Sequence, residues 1–171
     1  MQKEVMKKIV PIFFILTFLV EGTSYCQKID KVEIDKFTGQ KRILTKKIIL
    51  YEVFTKGLYI YIRTVDSTVF IRFYGNVGVG VVGPLDATTF LFSDKTTSDV
   101  LPTSLQSYDT DPQGFSQQYY FSKSQLQLLA EKNIISVRRT YNDTYIDIDV
   151  KEKHANKIKE LAKLVLNELS K

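Results

Sequence analysis

The stretch LYIYIRTVDSTVFIRFY, residues 58–74, decides the fold because its apolar residues recur at every second position on both sides of a short break. A period of two is typical of a β-strand that buries one face. The residues of the apolar face are Leu58, Ile60, Ile62, Val69, Ile71 and Phe73. Asp66 and Ser67 form a break short enough for a hairpin. The stretch therefore predicts two antiparallel strands with one packed face.

Outward from this hairpin, most of the chain keeps the composition of strands. Predicted strands lie in 46–54, 87–93, 134–141 and 144–150, and the less regular segment 98–121 predicts an edge strand at 100–108 and a short strand at 117–121. Tight turns separate these runs, which indicates antiparallel pairing.

Two helices are predicted in the last third of the chain. Ser122 and Gln125 form a capping box before a short helix near 123–132, whose apolar stripe is Leu126, Leu129 and Ala130. Asp149 and Glu152 resemble a second capping box before a long amphipathic helix near 150–170. The apolar stripe of this helix is Ile158, Leu161, Ala162, Val165 and Leu169. The predicted fold is α+β: a mainly antiparallel sheet of about seven to nine strands with the long helix packed on it.

The N-terminal residues predict export. Lys3, Lys7 and Lys8 precede an apolar run from Ile9 to Val20. This run is too short for a membrane-spanning helix, which needs about 20 residues. Small residues follow this run, as they do before a cleavage site. We predict a signal peptide at 1–26, a single α+β domain at 27–171, and a periplasmic or secreted protein. The alternative is a lipoprotein in which Cys26 carries the lipid anchor.

The composition limits the chemistry that the chain can perform. It has 1 cysteine, 1 histidine and a formal net charge of +5 with both signs interspersed. One cysteine and one histidine are too few for a disulfide framework or a multi-histidine metal site, and they leave few candidates for a histidine-based catalytic triad. The mild charge does not favour a nucleic-acid partner.

Two apparent ligand motifs fail on their context. Gly78, Gly80 and Gly83 have the spacing of a dinucleotide-binding turn, but a strand-like run follows them instead of a helix. Residues 109–114, DTDPQG, resemble the start of a calcium loop, but Tyr120 stands where the loop needs a glutamate. The sequence thus predicts no cofactor and no metal site.

Paired carboxylates supply the one enzymatic alternative. Asp147 and Asp149 project from the same face of a predicted strand, about 6.6 to 6.8 Å apart along the chain. Such a spacing suits glycoside hydrolysis by two carboxylates. The alternative function is therefore an envelope polysaccharide hydrolase.

The most distinctive surface feature is an aromatic and basic strand face. The residues opposite the apolar face of the hairpin include Tyr59, Tyr61, Arg63, Arg72 and Tyr74. Tyrosines on a sheet surface bind carbohydrate, peptide or protein partners. We predict an exported, non-catalytic domain that binds an envelope protein or ligand through these residues. A second alternative is a small-molecule carrier with a cavity between sheet and helix.

Three stretches carry a family resemblance. KVEIDKFTGQKRILT (31–45), YYFSKSQLQLLAEKNIISVRRT (119–140) and the lysine-rich C-terminal helix resemble small exported proteins of Bacteroidota-type bacteria. Gln27, at the predicted mature N-terminus, fits the export signals of that group. The resemblance implies the location and the general build, and it assigns no activity and no site residues.

Overall fold

The structure, a computed structural model, describes residues 29–53, 56–75, 87–103, 115–141 and 144–171. The strands within these residues are β1 (Ile29–Ile34), β2 (Lys41–Thr45), β3 (Ile48–Val53), β4 (Lys56–Val65), β5 (Thr68–Gly75), β6 (Thr88–Phe92), β7 (Thr97–Val100), β8 (Phe115–Phe121), β9 (Ile134–Tyr141) and β10 (Thr144–Asp149). The helices are α1 (Lys123–Glu131) and α2 (Glu152–Leu169). The predicted signal peptide, the three glycines of the dinucleotide-like motif and the DTDPQG stretch lie outside the described residues.

The hairpin of residues 58–74 forms as the alternation predicts. β4 and β5 pair antiparallel from Leu58 opposite Gly75 to Val65 opposite Thr68. Asp66 adopts the positive φ of 51° that the tight turn requires. The predicted apolar face is almost completely buried, since its six residues are 0–2 % exposed. The register of this pair therefore assigns every side chain of both strands to the core or to the outer face.

The described strands form two antiparallel sheets. The first sheet has the order β1-β2-β4-β5-β8, with β3 also pairing with β4, and the second has the order β10-β9-β6-β7. The segment after β7 joins the sheets, because Pro102 forms a bridge with Tyr119 of β8 and the Thr103 amide donates to the Gln118 carbonyl at 2.9 Å.

The core lies between the inner faces of the sheets and the two helices. Phe90 of β6 contacts Phe73 of β5 and Phe121 of β8, with ring centroids 6.0 and 5.7 Å apart. Helix α2 packs mainly against α1 and β3 and also contacts β1 and β9. Its buried residues are Ala155, Ile158, Leu161, Ala162 and Val165, and Leu169 is partly buried. The prediction of an α+β fold with an antiparallel framework and a packed C-terminal helix is confirmed.

One of the two predicted helix caps is present and the other is not. Ser122 accepts a hydrogen bond from the Gln125 amide at 3.1 Å, and the Gln125 side chain accepts one from the Ser122 amide at 2.8 Å. The prediction that Asp149 caps α2 was wrong, because the N-cap is Lys151 and no side chain caps it. Asp149 instead ends β10 opposite Ser136, and the next amide, that of Val150, donates to Ile135 at 3.0 Å. The sheet thus holds Asp149 two residues before the N-cap position, where it does not cap the helix.

Gly75 ends β5 where two backbones approach closely. A Cβ on Gly75 would lie 2.0 Å from the carbonyl oxygen of Gly57. This obstacle is backbone of the neighbouring strand, which cannot rotate away as a flexible side chain can. A glycine is therefore required at this end of the hairpin.

We expect Gly75→Ala to destabilise the protein by about 1 to 3 kcal/mol or more, because the added methyl group forces β4 and β5 apart. Ser67→Ala, in the exposed turn of the same hairpin, should change the free energy of unfolding by less than about 0.5 kcal/mol. Chemical denaturation of the two variants measures both changes. Equal stabilities would contradict the close approach.

Candidate functional site

The structure brings the five predicted binding residues together on the outer face of the first sheet. These residues are Tyr59, Tyr61, Arg63, Arg72 and Tyr74, and each is partly buried. Tyr59 lies opposite Tyr74, and Tyr61 lies opposite Arg72. Arg63, the next outward residue on β4, lies opposite Phe70. Cross-strand neighbours of this kind are close enough for their side chains to contact each other.

The aromatic rings of this face hold each other and a lysine in place. The ring centroids of Tyr59 and Tyr74 lie 6.4 Å apart at an interplanar angle of 46°. Lys47 Nζ lies 4.0 Å from the Tyr74 centroid, the geometry of a cation–π contact. The face therefore presents ordered rings with positive charge beside them.

An interruption in the strand pairing opens the surface next to Tyr61. β2 pairs with β4 as far as Leu44 opposite Arg63, and β3 resumes the pairing at Ile48 opposite Ile60. Residues 45–47 thus face only residues 61–62, which is the extra-residue pattern of a bulge. Thr45 Oγ1 accepts the Ile62 amide hydrogen bond at 2.9 Å, so the amide remains satisfied. Bulges redirect neighbouring side chains, and this one adjoins Tyr61.

Two adjoining pockets lie at this bulge, and we call them together the Tyr61 groove. They share Leu44 and Tyr61 as lining residues. One pocket has a volume of about 290 Å³ and extends toward β1 and β5, and the other has a volume of about 500 Å³ and lies along residues 45–47. These volumes are close to or within the range of about 300–1,000 Å³ of small-ligand sites.

The Tyr61 groove is strongly basic. Its cationic lining residues are Lys31, Arg42, Lys46, Lys47, Arg63 and Arg72. Its carboxylates are Asp30 and Glu33, and Glu33 forms an ion pair with Lys31. The excess of cations over carboxylates in this one groove is nearly as large as the formal net charge of the whole chain, +5.

The three arginines of the groove differ in their own contacts. Arg42 donates to Asp35 at 2.9 Å through one terminal nitrogen, while its Nε is buried and has no hydrogen-bond partner among the described residues. Arg72 donates through Nε to the hydroxyl of Ser116. The guanidinium of Arg63 makes no hydrogen bond or ion pair with residues of the described ranges. Arg42 Nε and the guanidinium of Arg63 are therefore donors that the described residues do not satisfy.

The carboxylate of Asp35 accepts hydrogen bonds from backbone amides as well as from Arg42. The backbone amides of Thr38 and Phe37 donate to its carboxylate at 3.0 and 2.9 Å, and together with Arg42 they hold the pKa of Asp35 below its usual value. The carboxylate thus stabilises the β1–β2 turn as well as the Arg42 guanidinium.

The structure adds residues to the face that the sequence prediction did not include. Arg42 reaches the groove from β2, and the ring of Tyr120 on β8 lies 5.2 Å from that of Phe70. Alternation in 41–45 and 117–121 could have assigned both residues to a strand face. It could not indicate which strands are neighbours, because that depends on contacts between distant segments.

The carboxylate pair of the hydrolase alternative lies on the second sheet. Asp147 is exposed and accepts two hydrogen bonds of 2.7 Å from Arg138 Nε and a terminal nitrogen. These bonds lower the pKa of Asp147, whereas a general acid needs a raised pKa. A pocket of about 240 Å³ adjoins this pair, lined in part by Thr89 and Ser136. No observation here favours hydrolysis over binding.

The remaining candidates supply little further chemistry. His154 Nδ1 lies 3.4 Å from the Leu50 carbonyl oxygen, where it contributes to the contact of α2 with β3.

The described residues contain no cluster of three or more histidine, cysteine or acidic side chains able to hold a metal ion. Within the same residues, no helix has the length and apolar character needed to cross a bilayer. None of the three pockets described above lies between a sheet and a helix, where the carrier alternative would require a cavity.

Comparisons with protein-family models, with curated proteins and with solved structures found no match to this chain. The function of the chain is therefore inferred from the geometry of the site.

We expect Arg138→Gln to raise the pKa of Asp147. In the unmodified protein Arg138 stabilises the ionised carboxylate of Asp147, and the variant removes this arginine. A folded-state pKa below the unfolded value stabilises the protein above about pH 4, and this contribution disappears as the pH falls through the folded pKa. Carboxyl ¹³C NMR titrations of both proteins measure the change. A lower pKa of Asp147 in the variant would contradict the conclusion that Arg138 lowers this pKa.

Proposed function

We propose that this chain is an exported, non-catalytic domain that binds a protein or ligand at the cell envelope through the outer face of its first sheet. The observation that carries the proposal is the convergence of Tyr59, Tyr61, Arg63, Arg72 and Tyr74 beside a groove at a strand bulge. The export signal predicted at residues 1–26 supports the location.

The chemistry of the face supports binding. Its tyrosines combine a broad apolar ring with a hydroxyl group, and this combination favours contacts with sugars, peptides and proteins. Tyrosine also loses little conformational entropy on binding, since its ring is already held by neighbours such as Lys47 and Tyr74. A preorganised surface of this kind binds with a smaller ordering cost.

The bulge supports a recessed site over a flat one. The regular strand pairing is interrupted at residues 45–47, and Leu44 and Tyr61 line both pockets at this interruption. A groove of this size buries a large part of a small ligand or of an inserted side chain. The guanidinium groups of Arg63 and Arg72 line the same pocket as Tyr61.

A capture experiment with matched variants tests the proposal. We expect Tyr61→Ala combined with Tyr74→Ala to reduce retention of envelope components by about tenfold or more, because two anchoring rings are removed. Both side chains are on the outer face, so the variant should keep the far-ultraviolet circular dichroism of the unmodified protein. The measurement is quantitative affinity capture from the envelope fraction of the source cell.

Tyr145→Ala is the matched control for this experiment. Tyr145 is also a surface tyrosine beside an arginine, with the Arg138 guanidinium carbon 4.0 Å from its ring centroid, but it lies on the second sheet. The control should retain the same components as the unmodified protein. Equal retention by the double variant and the control would refute the proposed face.

A further inference from the structure

We propose that the ligand of the Tyr61 groove carries an oxyanion, a phosphate, sulfate or carboxylate group, which binds between the guanidinium groups of Arg42, Arg63 and Arg72. This inference deepens the proposed function and rests on it. It concerns the chemical class of the ligand and not its identity.

The first support is the unsatisfied donor capacity of the groove. Arg42 Nε is buried and has no hydrogen-bond partner among the described residues, which is unfavourable relative to a satisfied donor. Arg63 has no polar partner among the described residues, and its side chain is nevertheless partly buried. An acceptor supplied by a ligand in the pocket would satisfy the guanidinium of Arg63.

The second support is the arrangement of like charges. β2, β4 and β5 are adjacent in the sheet and direct Arg42, Arg63 and Arg72 into one pocket of about 290 Å³. Arg42 is paired with Asp35, whereas Arg63 has no ion pair among the described residues, so an anion in this pocket would compensate a charge that those residues leave unpaired. The planar guanidinium group also matches the oxygens of phosphate and carboxylate in a two-bond geometry.

The third support is the contrast with Arg138 on the second sheet. Arg138 contacts the ring of Tyr145 as Lys47 contacts the ring of Tyr74, but the carboxylate of Asp147 satisfies Arg138 with two hydrogen bonds of 2.7 Å. Among the described residues, no carboxylate pairs with Arg63 in this way. The chain therefore neutralises one surface arginine internally and leaves the other available for an external anion.

The ring of Tyr61 indicates what adjoins the oxyanion. Tyr61 lines both pockets, so a ligand anchored at the arginines continues over this ring toward residues 45–47. Lys46 and Lys47 line the far pocket and permit a second anionic group there. A sugar or aromatic ring bearing an oxyanion fits this order of contacts, because an apolar ring face stacks on tyrosine.

Titration of the purified protein with inorganic phosphate, sulfate and acetate at constant ionic strength tests the inference. We expect at least one of these anions to cause saturable ¹H–¹⁵N shift changes at Arg42, Arg63 and Arg72, and the strongest of them identifies the favoured group. Arg63→Gln should weaken this binding about tenfold or more, because a charge-assisted hydrogen bond is lost. Arg63→Lys, which keeps the charge but not the two-bond geometry, should give a smaller loss.

Arg138→Gln is the matched control, since it changes the net charge of the chain by the same amount as Arg63→Gln. It should leave the affinity for the anion unchanged. Absence of saturable shifts with all three anions, or equal weakening by Arg138→Gln and Arg63→Gln, would overturn the inference.

The outcome also separates this inference from the proposed function. If the double tyrosine variant loses envelope components while Arg63→Gln retains them and no anion binds, the face functions without an oxyanion and only the inference fails. If anion binding depends on Arg63 while no face variant alters retention, the oxyanion site stands and the proposed function fails.

Discussion

The antiparallel register of β4 with β5 is the constraint on which the rest of the structure depends. Because side chains alternate across a strand, a slip of one residue would exchange the buried and outer faces. The observed register buries Ile60 and Ile71 at 2 % and 0 % exposure and, as a direct consequence, places Tyr61 opposite Arg72 on the other side. Hydrophobic burial thus determines the geometry of the surface site, although none of the site residues belongs to the core.

The interruption between β2 and β3 converts this regular face into a groove. A continuous strand from Lys41 to Val53 would pair evenly with β4 and leave a flat sheet surface. The extra residue in 45–47 interrupts the strand pairing, and the hydroxyl of Thr45 satisfies the Ile62 amide that the missing ladder bond would otherwise leave without a partner. The cost of the irregularity is therefore small, and its result is the recess beside Tyr61.

The sequence predicted the local features well and the long-range ones poorly. Alternation identified the faces of β4 and β5, and a capping box identified the start of α1 at Ser122, because both signals depend on residues a few positions apart. The division into two sheets, the position of β8 beside β5 and the contribution of Arg42 to the groove depend on contacts between distant segments. The Asp149 cap failed for the same reason: pairing of β10 with β9 extends through Val150 and overrides the local capping pattern.

The two arginine–tyrosine arrangements show why composition alone could not locate the site. Arg138 with Tyr145 and Arg63 with Tyr61 combine the same residue types on strands, and a count of residues treats them alike. They differ in the position of a carboxylate, since β10 places Asp147 directly opposite Arg138 in register. On the first sheet the residue opposite Arg63 on β5 is Phe70, and its neighbour on β2 is Leu44. Cross-strand pairing therefore determines which arginine is satisfied within the protein, and the arginine with apolar cross-strand neighbours is the one that lines a groove with other cations.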